Sequence, residues 1–228
     1  MIQIHQPEND NGMPTVLRPR PSRQLVRRIL VQGHHGIGQH VLVAGTGCDE
    51  LTGWLNVLGF DVETLGNETF GPAVCDSHQS AFDLILVDDL DPYRSNLLEL
   101  DSRLVTAQML SCLKPGGDFV VIRDAAFDSN GVPTNGKSHD AACWTRHLAC
   151  FPGRFETAAF PAPWFSRNTW HWLLGQGSAP PELAISLRTP SEQLTTAEWQ
   201  AHARRGLLTE AACCCSEAVP LQHRRRAA

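Results

Sequence analysis

Lysine is almost missing from this chain: its 228 residues include 17 arginines and only two lysines, a bias that reads as genome composition rather than function. No stretch approaches the roughly 20 consecutive apolar residues of a membrane-spanning helix, so no membrane partner is expected. The polar segment Met1 to Gly12 has no apolar core of a secretory signal, and the expected location is cytoplasmic. There is no CxxC pair, and Cys213, Cys214 and Cys215 are contiguous, which suits no tetrahedral metal centre. The eight cysteines are therefore expected as reduced thiols, with no metal and no disulfide framework. No internal repeat is visible.

A net charge of −5 argues against a general nucleic-acid coat. Positive charge gathers at Arg18, Arg20, Arg23, Arg27 and Arg28 and again at Arg224, Arg225 and Arg226. These runs read as a solvated helix face and a tail in preference to an anion-binding patch, so nucleic acid is not favoured as a partner. What is present in quantity is apolar: 42% hydrophobic residues and 19% charged residues specify a folded domain rather than a disordered chain.

Patterning divides the chain into a loose, Pro-interrupted segment over 1–21, one domain over 22–206 and a flexible tail over 207–228. Ser22 is an N-cap for a helix to Gln32, with Leu25, Val26, Ile29 and Leu30 as its apolar stripe, ended by the glycines from Gly33 onward. His40 to Ala44 is a near-continuous apolar run of strand length, as in a strand buried on both faces, and it passes at once into Gly45-Thr46-Gly47. Leu51, Trp54, Leu55 and Leu58 then follow at helical spacing, and Phe60 to Leu65 is a second strand, which completes a βαβ unit. Ala73-Val74-Cys75 is a short strand-like piece, and Phe82 to Val87 is a further buried strand. The spacing predicts a helix over Ser95 to Leu113, with an apolar face of Leu97, Leu100, Leu104, Met109 and Leu113. Lys114-Pro115-Gly116-Gly117 breaks it before a strand over Asp118 to Ile122. A helix over Ser138 to Cys150, strands at Arg154–Phe160, Thr169–Leu174 and Glu182–Leu187, and a helix capped by Thr195 and Glu198 and ended by Gly206 complete the domain. The fold class is α/β: a Rossmann-like, mostly parallel sheet with helices on both faces and an antiparallel strand pair at one edge.

Three segments, in this order, resemble class I S-adenosylmethionine-dependent methyltransferases. Val41 to Leu51 is similar to the first motif of that family, Phe82 to Asp88 to its fourth strand and acidic end, and Leu113-Lys114-Pro115-Gly116-Gly117 to its turn into the fifth strand. The resemblance implies S-adenosylmethionine as cofactor, bound around Ala44, Gly45, Thr46, Gly47, Glu50 and Asp88, with Glu63 or Glu68 as a stand-in for the family's ribose-binding acid if the strand register allows it. That acid's own place falls on Gly66. Asp76 is a candidate for the adenine amino group or a solvated loop aspartate, and the stretch from Gly66 to Phe82 is too short for a full helix plus strand.

Charge chooses between cofactors. Asp49 and Glu50 after the glycine turn would repel a pyrophosphate, and the third glycine of the dinucleotide fingerprint is absent, so a nicotinamide cofactor fits less well. A sulfonium and an ammonium tolerate those carboxylates. Asp88 or Asp89 could orient or deprotonate an acceptor hydroxyl or amine, or simply cap a helix. Asp91-Pro92-Tyr93 falls too late for the tetrad of amino-methylating DNA enzymes, and His139 and His147 read first as structural or solvated. Trp164, Phe165, Trp170 and Trp172 read as packing. The expected function is methyl transfer to an unidentified small-molecule or macromolecular acceptor; the alternative is a methyltransferase-like binding or scaffold protein without catalysis.

Overall fold

A computed structural model of the chain describes residues 23–45, 48–66, 78–88, 90–93, 97–123, 141–160 and 182–206. The segments expected to be loose, 1–21 and 207–228, lie outside these residues, as do Ala73-Val74-Cys75 and Thr169–Leu174. Five helices are described: α1 Arg23–Gln32, α2 Cys48–Val57, α3 Leu100–Cys112, α4 Ala141–Leu148 and α5 Thr196–Gly206. Six strands are described: β1 His40–Gly45, β2 Asp61–Leu65, β3 Phe82–Asp88, β4 Leu113–Arg123, β5 Arg154–Phe160 and β6 Glu182–Arg188. They form one sheet in the order β2-β1-β3-β4-β6-β5. The first four are mutually parallel, and β6 runs antiparallel to both β4 and β5. This is the Rossmann-like sheet that the sequence pattern leads one to expect; the pattern pairs Arg154–Phe160 with Thr169–Leu174, which lies outside the described residues, and the antiparallel partner described for β5 is β6.

Side chains alternating along the strands feed two cores. Leu42, Ala44, Ile85, Val87, Phe119, Val121, Ile185 and Leu187 face one side, under α3, α4 and α5. Val41, Val43, Leu84, Leu86, Val120, Ile122 and Ala184 face the other, under Val26, Ile29 and Leu30 of α1 and Leu51 and Leu55 of α2. A sheet covered on both faces explains why its central strands read as unbroken apolar runs.

The amino-terminal edge of the sheet is fastened by polar contacts. Helix α1 ends in a Schellman arrangement: His35 N donates to the Leu30 carbonyl at 2.8 Å and His34 N to Val31 at 3.2 Å. The residue in the left-handed conformation is His34, at φ 57°, rather than a glycine. Gly33 is needed for room, because the His35 ring fills the place of its Cβ. The turn delivers His35 Nε2 to Asp118 Oδ2 at 3.0 Å, and Arg188 grips both oxygens of the same carboxylate at 2.9 and 2.8 Å. Burial alone would raise the Asp118 carboxyl, but the hydrogen bonds and charges of His35 and Arg188 outweigh it and hold the group below its ordinary range.

Three expected boundaries move. The strand expected from Asp118 begins at Leu113, because Lys114 to Gly117 is a bulge inside β4: Phe82 pairs with Leu113 and Leu84 with Asp118. Gly116 takes φ 75°, and a Cβ on Gly117 would press on the carbonyls of Lys114 and Asp83. The helix expected from Ser95 starts at Leu100, because Glu99 is extended (φ −67°, ψ 157°) and Leu97 and Leu98 turn into the core. Its buried residues are Ser102, Arg103, Thr106, Ala107, Met109, Leu110, Ser111 and Cys112, while Leu100 and Leu104 are only half-buried. The helix expected over Ser138 to Cys150 spans Ala141–Leu148, with 138–140 outside the described residues. The capping box is present: Glu198 Oε2 accepts from Thr195 N at 2.7 Å, and Thr195 Oγ1 accepts from Glu198 N at 3.3 Å.

A carboxyl held low in the folded state contributes stability that is complete above its unfolded value and disappears as pH falls through the folded one. Urea unfolding followed from about pH 7 down to about pH 3 is expected to show this acid loss. Asp118→Asn should flatten it and cost roughly 1–3 kcal/mol at neutral pH, since His35 and Arg188 lose a charged acceptor. Identical acid slopes for the two proteins would refute the assignment.

Candidate functional site

Register defines the carboxyl edge of the sheet. Gly45 ends β1 directly beside Asp88, the last residue of β3. Ala44 pairs with Leu65, so Gly66 extends β2 to the same level. Gly45 takes φ 130°, and a Cβ there would run into the backbone carbonyl of Asp88. A side chain is excluded here both by conformation and by space. Three residues on, α2 begins at Cys48, so a strand is followed by a helix at the sheet's carboxyl edge, where open α/β sheets bind ligands. The first backbone N–H groups of α2 have no intrahelical partner and favour a carboxylate. Asp49 in that first turn is exposed.

The residues expected to form the site divide into three groups. Ala44, Gly45 and Asp88 are brought together, with Ala44 fully buried under the edge and Asp88 half-buried on it. Thr46, Gly47, Glu68, Asp76 and Asp89 lie outside the described residues; Glu50 is in α2, but its side chain is outside them too. Glu63 is not at the edge. It pairs with Leu42, three positions before Gly45 and about 10 Å along the strand. Its carboxylate is engaged by His40 Nε2 and His78 Nε2, each at 3.1 Å, towards the opposite end of the sheet. These groups do not amount to a metal centre: no group of three ligating side chains that could hold a metal ion is assembled among the described residues.

Of the acceptor-side candidates, Asp91 is exposed, and Tyr93, two residues on in the same short 3-10 turn, is buried. His147 is fully buried and bonded at both ring nitrogens, to Thr106 Oγ1 and the Leu97 carbonyl, so it is an interior group rather than a base facing solvent. His139, Trp164, Phe165, Trp170, Trp172 and Cys213 to Cys215 lie outside the described residues. Sequence reasoning missed Asp83, Thr106, Asp118 and Arg188. A polar residue inside an apolar strand or helix was the available signal for the first three.

Two glycines with positive φ separate conformation from space. Gly116 has φ 75° and nothing within 4 Å of its Cβ position, so Gly116→Ala should cost about 1–2 kcal/mol in denaturant unfolding. Gly45→Ala adds a backbone collision and is expected to cost about 3 kcal/mol or more. Equal costs would mean that the edge is looser than described.

No family model matches the chain, and no curated protein matches it in sequence. Solved structures do match in shape. A SAM-dependent methyltransferase from Archaeoglobus fulgidus superposes with a TM-score of 0.50 at 12% identity, over 74% of this chain and 95% of that one. An S-adenosylmethionine-dependent methyltransferase from Mesorhizobium loti gives 0.49 at 15% identity, over 72% and 96%. The N-methyltransferase NodS from Bradyrhizobium japonicum gives 0.45 at 16% identity, over 73% and 93%. The likeness to the Archaeoglobus structure, together with the strand order and the glycine exit from β1, shows that this chain has the class I S-adenosylmethionine-dependent methyltransferase fold.

Proposed function

We propose that the chain is an S-adenosylmethionine-dependent methyltransferase, with residues 22–206 as its catalytic unit and an acceptor still to be identified. The observation that carries this reading is the carboxyl edge at Gly45, where a strand without a terminal side chain leads towards a helix and lies beside Asp88, the last residue of β3. An acidic edge fits a cofactor that carries a sulfonium and an ammonium, and it disfavours a pyrophosphate. Ala44, Gly45, Thr46 and Gly47 would line the adenosyl group, and the start of α2 around Glu50 would meet the amino-acid end. Asp88 would hold a polar end of the cofactor, and Asp76 the adenine. Glu63 is left out of this set, because His40 and His78 hold it away from the edge. When bound, the cofactor supplies an activated methyl group.

What the chain itself supplies is placement. In-line displacement draws much of its acceleration from fixing the reactants and excluding water, so no fixed triad is required. Asp88 or Asp89, at the exit of β3, would orient an acceptor hydroxyl or amine, or take its proton.

Calorimetry with S-adenosylhomocysteine tests the reading. A saturable binding heat is expected, weakened about tenfold by Asp88→Asn through loss of a charged hydrogen-bond acceptor. NADH titrated under the same conditions should give no fluorescence change on binding. A folded sample that gives no heat with S-adenosylhomocysteine overturns the proposal.

A further inference from the structure

The exit from β3 and the first described element after β4 are fastened to each other by one buried chain of hydrogen bonds. Tyr93 is 2% exposed, and Thr106 and His147 are 0% exposed. Tyr93 Oη lies 2.7 Å from Thr106 Oγ1, and Thr106 Oγ1 lies 2.7 Å from His147 Nε2. His147 Nδ1 donates to the Leu97 carbonyl, and Ser102 Oγ donates to the Pro92 carbonyl at 2.8 Å. The order of donors follows from the ends of the chain. A carbonyl can only accept, so His147 carries a proton on Nδ1; the Thr106 hydroxyl faces both His147 Nε2 and the Ser102 carbonyl, the latter at 3.2 Å, and accepts from Tyr93. Trp144 closes the cluster, edge-on to Tyr93 at 5.1 Å and to His147 at 5.4 Å.

The partners come from three places. Pro92, Tyr93 and Leu97 belong to the excursion that leaves β3 at Asp88, Thr106 is on α3, and Trp144 and His147 are on α4. Apolar residues of the same size would fill this space without desolvating any polar group. A directional network favours one arrangement, because its bonds form only when the three side chains meet at fixed distances and angles. We propose that Tyr93, Thr106 and His147 are positioning residues. They fix the β3 exit, which carries Asp88, relative to α4. The methyl-transfer reading brings an acceptor over the ends of β3 and β4, and a positioning role toward that acceptor rests on that reading, whereas the network rests on the geometry alone.

Hydrogen exchange on the full chain tests it. Thr106→Val keeps the shape and removes the hydroxyl that joins the other two. It is expected to speed amide exchange about tenfold in 88–93 and 141–148, and to change 40–45 and 48–57 by less than about twofold. Thr106→Ser, which keeps the hydroxyl, should restore the original rates. Tyr93→Phe removes one end only and should give the same local pattern more weakly, which keeps the test available if the valine variant fails to fold. Nitrogen-15 spectra of the parent protein should show a proton on His147 Nδ1, the nitrogen that faces the Leu97 carbonyl. Unchanged exchange in all segments, a uniform rise across all four, or no rescue by serine would overturn the proposal. Parallel calorimetry with S-adenosylhomocysteine separates the two ideas: absence of binding by the parent protein would remove the methyl-transfer reading and leave the exchange comparison valid.

Discussion

One carboxylate oxygen aligns the centre of this sheet. Asp83 Oδ2 accepts the backbone N–H of His40, the first residue of β1, at 2.9 Å, and the Lys114 ammonium, from the bulge of β4, at 2.8 Å. Three adjacent parallel strands thus share a single fixed point. Burial opposes the charge on Asp83, but these two hydrogen bonds and the Lys114 charge prevail, and its carboxyl lies below the ordinary range. In a parallel sheet covered on both faces, a slip of one residue would exchange the two sets of core side chains. It would also separate Gly45 from Asp88. The carboxyl edge, where the candidate site lies, is therefore defined by a contact at the opposite edge.

The two edges divide the work. At the amino-terminal edge the strands are tied crosswise: Glu63 to His40 and His78, Asp83 to Lys114, and Asp118 to His35 and Arg188. The Lys114 bulge is held from the far side as well, with Thr189 N donating to the Gly117 carbonyl at 2.9 Å and Gly116 N to the Pro190 carbonyl at 2.8 Å. At the carboxyl edge, β1 ends in a glycine with no room for a side chain, and β3 ends in a carboxylate. A sheet made rigid at one end can present a backbone surface at the other, because the end that must meet a ligand does not also have to hold the strands together.

Helix α3 shows where polar residues are used inside. It lies between the sheet and α5, so it is buried over most of its circumference. Thr106 joins the exit of β3 to α4. Arg103, also fully buried, places its guanidinium where a Cβ of Gly206 would be, at the end of α5. A cation there meets the negative end of the helix dipole. Residues that a surface helix would turn to solvent serve here as connections between elements.

Much of the architecture is written locally. The apolar runs at Val41 and Phe82, the Thr195 and Glu198 cap, and the glycine exit at Gly45 were all legible because each follows from a short-range rule: periodicity, capping geometry or the absence of a Cβ. The αβ alternation and the resemblance carried by Val41–Leu51, Phe82–Asp88 and Leu113–Ile122 were enough for the fold class. What local rules cannot supply is which residues meet across the sheet. Glu63 read as a site residue because it is an acid near the end of β2, yet register against β1 sets it three positions short of the edge and gives it to two histidines. Lys114 to Gly117 read as a helix break, and only the pairing of Phe82 with Leu113 and of Leu84 with Asp118 made it a bulge within a strand. The polar interior of α3 was hidden for the same reason: its partners, Tyr93 and His147, lie 13 and 41 residues from Thr106. Sequence determines the elements through forces between near neighbours; tertiary structure alone decides register and partners, because those depend on contacts between residues far apart in the chain.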